Sequence, residues 1–276
     1  MTAPTIFRIP WSQSITASIE SHKMKMNILS GGRLKMQKRT YLRDAPRGEM
    51  IELPVSCVLL RHPQGNVLFD TGCHPAVAED PEARLGVLAK YMIPDMAVGD
   101  HVITSLKAVG LGPDDIDVVV CSHLHTDHCG CNAFFKKATV FVHALELAAA
   151  KQPDAVNSGY LTADWDVGTA MNIISAPTDI FGDGRITLLP LPGHSPGTTA
   201  ALVKLDDTGE YLLTSDALSV RANLDDNSVP RNTWNADAFL KSFEEIRRLE
   251  AQGVTIICSH DLEQWKTLRK GAEAYS

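Results

Sequence analysis

The run Ser122-His123-Leu124-His125-Thr126-Asp127-His128 places four metal-capable side chains within six positions. Imidazole and carboxylate together are donors suited to zinc and its first-row neighbours. Alternate side chains of an extended chain point the same way, so His123 and His125 can grip one ion. Asp127 and His128 then turn toward a neighbouring position. A histidine-rich loop could instead be merely solvated, but three histidines and an aspartate directly after a buried strand favour metal. Three more candidates stand at the ends of later predicted strands: His194, Asp216 and His260. Taken singly, each is more often a core or surface residue. Taken together, the seven recur at one structural station and suffice for two divalent ions sharing one carboxylate. Zinc is the expected ion, with manganese, iron(II) and cobalt also suited to these donors.

The elements that must position these residues follow from pattern. Residues 116–121 form a short apolar run after Pro113-Asp114-Asp115, which predicts a buried strand. Its end carries the ligand run, and α/β sheets place their sites on such loops. Strands are also predicted over residues 51–60, 67–69, 139–142, 186–191, 198–205, 211–213 and 254–258. Helices are predicted over residues 81–91, 100–109, 144–151 and 236–252. The last is the clearest, with Phe239, Phe243, Ile246 and Leu249 on one face and Asn235 as its N-cap. Hairpins and crossovers alternate, so the chain reads as α/β with mixed sheets.

Composition narrows the classes. The 276 residues are 44% hydrophobic and 21% charged, which suits a soluble globular protein. The net charge of −7 argues against a dedicated nucleic-acid binder. No uninterrupted apolar run exceeds four residues, far short of a membrane span. Residues 1–27 lack the apolar stretch of a secretory signal, so a cytoplasmic location is expected. The six cysteines are then expected as free thiols, with Cys129 and Cys131 packed behind the ligand run. Residues 1–50 hold nine Lys or Arg against three acids, a local net of +6. This stretch reads as a basic flap on a single domain (residues 1–276) whose catalytic core is residues 51–276. A sharper alternative makes it a cationic wall beside the site, with Lys35, Lys38 and Arg39 holding a carboxylate product.

The H-x-H-x-D-H run, the later His194, Asp216 and His260, and the strand end Leu68-Phe69-Asp70-Thr71-Gly72 resemble the metallo-β-lactamase superfamily. These motifs span residues 51–265. The resemblance implies an α/β fold, an αβ/βα four-layer sandwich of two mixed sheets with the site along one edge. It implies that His123, His125 and His194 hold one metal, that Asp127, His128 and His260 hold the second, and that Asp216 bridges them. Asp70 would orient a ligand histidine. His125, rather than a glutamate, at the second ligand position disfavours the family's di-iron redox branch.

The segment Ser259-His260-Asp261-Leu262-Glu263-Gln264-Trp265-Lys266 and the Gly193-His194-Ser195-Pro196-Gly197 turn are similar to those of N-acyl-homoserine lactonases and pyridoxolactonases. The implied activity is hydrolysis of a small lactone by a metal-bridging hydroxide, with Asp127 and Asp216 as catalytic residues and Asp127 or a water protonating the leaving alkoxide. Those lactonases carry a substrate-contacting tyrosine where this chain has Ser219. That role falls to Ser219, a water, or a tyrosine from elsewhere such as Tyr160. His74 is a second candidate substrate contact. Met24, Met26 and Met36 could wall an acyl chain, and residues 221–234 could set specificity. A thioester hydrolase of the glyoxalase II kind and a phosphotriesterase are the competing enzymatic readings, and a non-catalytic metal scaffold is the competitor from another class. A monomer or homodimer acting without nucleic acid or membrane is expected.

Overall fold

The first strand among the described residues lies within the stretch expected as a basic flap. A computed structural model describes residues 23–276. Strand β1 (Lys25–Gln37) runs antiparallel to β2 (Met50–His62) along nearly its whole length. Met24, Met26, Ile28 and Leu34 are buried, whereas Lys25, Arg33 and Lys35 face outward or lie half-buried. The charges thus take the exposed and half-buried positions of a strand that is buried on both faces from Met26 to Leu29, and the core begins well before residue 51. Residues 1–22 of the expected flap, Arg8 among them, lie outside the described residues. A bulge between Ser30 and Arg33 bends β1. Only glycine fits at its centre, because a Cβ on Gly31 would lie 2.5 Å from Cys57 Sγ and 2.9 Å from Gly72 Cα.

Among the described residues the strands form two mixed sheets. After β2 come β3 (Gly65–Phe69), β4 (Ile93–Pro94), β5 (Val118–Val120), β6 (Thr139–His143) and β7 (Met171–Ile174). The larger sheet has the order β4-β1-β2-β3-β5-β6-β7, parallel from β3 to β7. The smaller holds β8 (Thr178–Asp179), β9 (Ile186–Pro190), β10 (Thr199–Leu205), β11 (Gly209–Leu213) and β12 (Thr255–Ile257), in the order β12-β11-β10-β9-β8. Strand β10 is antiparallel to both β9 and β11, and β12 is parallel to β11. Two reversals restore direction, so β9, β11 and β12 all end at the same edge.

Among the described residues the helices in chain order are α1 (Lys38–Tyr41), α2 (Pro81–Leu85), α3 (Val102–Ala108), α4 (Thr126–Cys129), α5 (Ala144–Ala150), α6 (Thr162–Trp165), α7 (Arg221–Asp225), α8 (Ala236–Ala251) and α9 (Leu262–Thr267). The helix predicted over residues 81–91 is split at Gly86, whose φ of 56° ends α2 and starts a 3-10 turn. Val102 and Leu106 of α3 pack on the outer face of the larger sheet with Leu59 and Val119. Between the sheets, Met24, Met26, Leu60 and Phe69 meet Leu188, Val203 and Leu213. Phe239, Phe243, Ile246 and Leu249 of α8 cover the outer face of the smaller sheet. The layers are therefore helix, sheet, sheet, helix, as the resemblance implied. Asn235 caps α8 by accepting from Ala238 N at 3.0 Å. Truncating a buried Phe243 to alanine would cost about 3–5 kcal/mol. Met24 and Met26 belong to this inter-sheet core, so they do not wall a ligand; of the three methionines, Met36 does reach the site cavity.

Candidate metal centre

Asp70 closes β3 and begins the site. Its φ of 61° is a strained conformation for a non-glycine residue. In return its carboxylate accepts from Ser122 N and Ser122 Oγ, both at 2.8 Å, and faces His128 Nδ1 at 2.8 Å. These contacts fix the loop after β5 and turn His128 Nε2 inward. Two other imidazoles are held from behind in the same manner. His260 Nδ1 lies 2.9 Å from Pro54 O, and His123 Nδ1 lies 3.1 Å from Ser122 Oγ. With one nitrogen so engaged, the remaining lone pair is directed to the centre.

The ligand-type atoms converge in three overlapping groups: His123, His125 and His194; His123, His128 and Asp216; Asp127, His128 and His260. Within each group they lie within 4.8 Å of one another. His125 Nδ1 is 3.1 Å from His123 Nε2 and 3.0 Å from His194 Nε2, and His128 Nε2 is 3.3 Å from His260 Nε2. Tetrahedral zinc with bonds of about 2.0–2.1 Å separates its nitrogen ligands by roughly 3.3–3.4 Å. The imidazoles therefore sit at about the spacing such an ion requires. Asp216 lies between the groups, with Oδ2 at 3.3 Å from His194 Nε2 and Oδ1 at 3.1 Å from His260 Nε2. The donor set fits two divalent ions, one per histidine group, with Asp216 able to touch both.

Electrostatics divide the histidines of the metal-free protein. Burial, aided by the neighbouring imidazoles, pushes His123 and His125 well below the usual histidine range. His194 is also lowered, chiefly by burial. Burial opposes charge on His128 too, but Asp127, Asp216 and Asp70 outweigh it and push its pKa up to about 10. His260 is raised in the same way, with burial overcome by Asp216 and Asp127. Asp216 is held well below the carboxylate range: its burial is overcome by His260, His194 and His128.

A cavity of about 530 Å³ opens over the centre, with His125, Asp127, His194 and Asp216 at its floor. Met36, Leu88, Met92, Ala149, Ala155 and Trp234 supply its apolar lining. Tyr91 and Trp234 are mostly exposed at the rim. From residues 221–234, the stretch Arg231 to Trp234 lines this space, while Arg221–Asp225 is helical.

The structure thus brings His123, His125, Asp127, His128, His194, Asp216 and His260 together. It places Ser219 and His74 elsewhere. Ser219 is buried beneath the ligands, where its carbonyl accepts from His260 N at 2.9 Å, and it does not line the cavity. The 3-10 turn Ser215–Leu218 carries it inward. His74 follows Gly72, whose φ of 72° turns the chain away from the centre. Its Nδ1 accepts from Ala76 N, and its ring packs on Phe134 in a separate shallow pocket. Lys35 and Lys38 also fail to form a cationic wall: they pair with Asp95 and Glu49, and neither reaches the cavity. All six cysteines are buried and free, and burial raises the thiols of Cys129 and Cys131.

Two residues at the site carry roles the sequence did not suggest. Glu146, fully buried on α5, accepts from Leu124 N at 3.0 Å, Ser195 Oγ at 2.6 Å and Gly197 N at 3.0 Å. It ties the loop of His123 and His125 to the loop of His194. Its one sequence signal is a lone charge in the apolar run Ala144-Leu145-Glu146-Leu147-Ala148-Ala149-Ala150. Tyr41, flanked by cations, carried no signal at all, yet it is buried in the cavity wall.

A helix–sheet–sheet–helix sandwich that delivers histidines and aspartates from both sheets to one edge defines a class of proteins built around a two-metal centre. This chain belongs to the metallo-beta-lactamase superfamily, whose sequence profile matches residues 50–260. The N-acyl homoserine lactonase AttM of Azorhizobium caulinodans is 31% identical over 259 residues, covering 91% of this chain and 98% of that protein. The N-acyl homoserine lactonase AiiA of Bacillus thuringiensis subsp. kurstaki is 28% identical over 247 residues, covering 89% and 96%. Among solved structures, an N-acyl homoserine lactone hydrolase with N-hexanoyl-L-homoserine bound at its catalytic metal centre aligns with a TM-score of 0.83. It is 27% identical, and the alignment covers 92% of this chain and 99% of that one.

Proposed function

We propose that the protein is a metal-dependent hydrolase that opens the ring of a lactone, an N-acyl homoserine lactone above all, and so degrades quorum signals. The observation that carries this reading is the two-group ligand set at the floor of an apolar-walled cavity of about 530 Å³. That space suits a small polar ring at the centre and an acyl chain along Met36, Leu88 and Met92. Two divalent ions, zinc in this reading, would supply Lewis acidity toward the carbonyl and lower the pKa of water to about 7. Asp127 lines the cavity beside Asp216 and is placed to carry a proton. Water adds to the carbonyl carbon, the ring C–O bond breaks, and Asp127 passes the proton of the attacking water to the departing alkoxide. The product is a hydroxy acid. The likeness to AttM and AiiA supports the same substrate class.

The reading extends to a small-molecule enzyme, monomeric or homodimeric, working in the cytoplasm as one domain without nucleic acid or membrane. Six free, buried thiols support a reducing compartment, and among the described residues no helix is long and apolar enough to cross a membrane. Proton release by the metal-loaded protein tests it. The panel holds acyl-homoserine lactones of several chain lengths, γ- and δ-lactones, a glutathione thioester and a phosphotriester. The homoserine lactones are expected to turn over fastest, with a loss of about 100-fold or more in Asp216→Asn. Faster turnover of the thioester or phosphotriester would overturn the lactone assignment.

A further inference from the structure

Helix α1 is a single turn in a cationic stretch, yet distant parts of the chain hold it in place. Asn223 Nδ2 donates to Tyr41 O at 2.9 Å, Arg231 N to Thr40 O at 2.7 Å, and Arg231 Nε to Arg39 O at 3.0 Å. Arg43 also donates to Val229 O. These bonds lock the Tyr41 side chain into the cavity wall, where it is 2% exposed. Its ring stands edge-on to the His260 imidazole, with centroids 6.4 Å apart. The phenol therefore sits at the depth of the ligands rather than at the rim.

Its hydroxyl contacts Met36 Sδ at 3.5 Å and Asn232. A thioether is a weak acceptor, so little is lost when the O–H turns to a better one. Among the other hydroxyls of the cavity lining, Ser195 Oγ is engaged by Glu146, whereas Thr233 Oγ1 is buried without a partner among the described residues. The Tyr160 hydroxyl bonds to Glu146 and Ser195, and Ser219 lies outside the cavity.

We propose that Tyr41 is a catalytic residue, whose hydroxyl donates a hydrogen bond to the oxyanion that forms at the substrate carbonyl. This rests on the lactone reading. A rigid neutral donor in an apolar wall stabilises developing negative charge without reorganising, and removing one such donor lowers kcat by about 10²–10³. Proton inventory does not change: Tyr41 shares its proton and keeps it.

The test compares the wild-type protein with Tyr41→Phe, both metal-loaded. The expected result is a fall in kcat of about 100-fold on the lactone with KM little changed and metal content equal. A separate binding readout uses an alkyl phosphonate as a mimic of the tetrahedral oxyanion, measured by calorimetry. Its Kd is expected to weaken by a factor similar to the loss in kcat, while the Kd of the hydroxy-acid product moves little. Equal kcat and equal phosphonate affinity would overturn the proposal, as would a fall in kcat matched by loss of metal. If the wild-type protein opens no lactone, the substrate reading fails, and the phosphonate comparison still decides whether Tyr41 is an oxyanion donor. Should Tyr41→Phe fail to fold, fluorotyrosine at position 41 preserves packing and makes the donor more acidic. A changed kcat is expected there, and an unchanged one overturns the proposal.

Discussion

Glu146 shows how one residue without contact to a ligand can set the geometry of three. Its carboxylate accepts from the peptide between His123 and His125 and from two residues that flank the His194 loop. Burial raises its pKa, and bonds from Ser195, Leu124, Tyr160 and Gly197 oppose that rise. Glu146→Ala would strand the buried Leu124 and Gly197 N–H groups at about 1–3 kcal/mol each. The expected outcome is a loss of about 10–100-fold in metal affinity at the His123, His125 and His194 group. The group of Asp127, His128 and His260, oriented by Asp70, should hold its ion. Stepwise chelator competition separates the two, and equal weakening of both steps would show that Glu146 acts on the whole fold. The seven residues that converge were legible in sequence because metal-capable side chains at successive strand ends have few other reasons to recur. Glu146 and Tyr41 were not, since their roles arise from contacts between segments tens of residues apart. Ser219 and His74 were misplaced because spacing along the chain does not reveal which way a tight turn faces.

At the scale of elements, α8 and the strands flanking the ligand run were readable from periodicity and turn residues, but β1 was not. It is buried on both faces near its start, with Met26 and Ile28 in the core between the sheets and Leu29 in the core on the other side, while Lys25 and Lys35 take exposed or half-buried positions. The Gly31-Gly32 bulge shifts the register midway, so a period of two fails over the full strand. The same geometry decides what the basic residues do. Lys35 Nζ sits 2.9 Å from Asp95 Oδ1 and 3.7 Å from Glu52 Oε1, away from the cavity. Its ammonium pKa is raised by the Asp95 hydrogen bond. Lys35→Glu is therefore expected to leave kcat and KM within about twofold of wild type, as for a surface change away from the site. A larger change in either constant would restore the cationic wall as part of the binding site.

Across the whole molecule, the centre joins the two sheets. His123, His125, Asp127 and His128 follow β5 of the larger sheet, whereas His194, Asp216 and His260 follow β9, β11 and β12 of the smaller. Metal binding is then linked to the packing of one sheet on the other, and the split in histidine protonation makes that linkage depend on pH. His123, His125 and His194 have lowered pKa values, so at pH 7 they are neutral and bind metal without expelling protons. His128, pushed up to about 10, carries a proton in the metal-free protein at that pH, and His260 is shifted in the same direction. A proton held there must be released before the imidazole becomes a ligand. For His128 the sign follows directly. Its raised pKa stabilises the metal-free fold fully below the unfolded value of about 6.5, and that contribution disappears as pH rises through about 10. Metal bound at 1,000 times its Kd adds about 4 kcal/mol, and the Kd itself falls as proton competition is relieved. The gain in Tm on metal loading should accordingly be larger at pH 8 than at pH 6. Calorimetric titration at pH 7 in two buffers of different ionisation enthalpy should resolve one step with little proton release and a second that expels one to two protons, roughly. Equal proton release in both steps, or a Tm gain independent of pH, would show that His128 is not proton-occupied before metal binds.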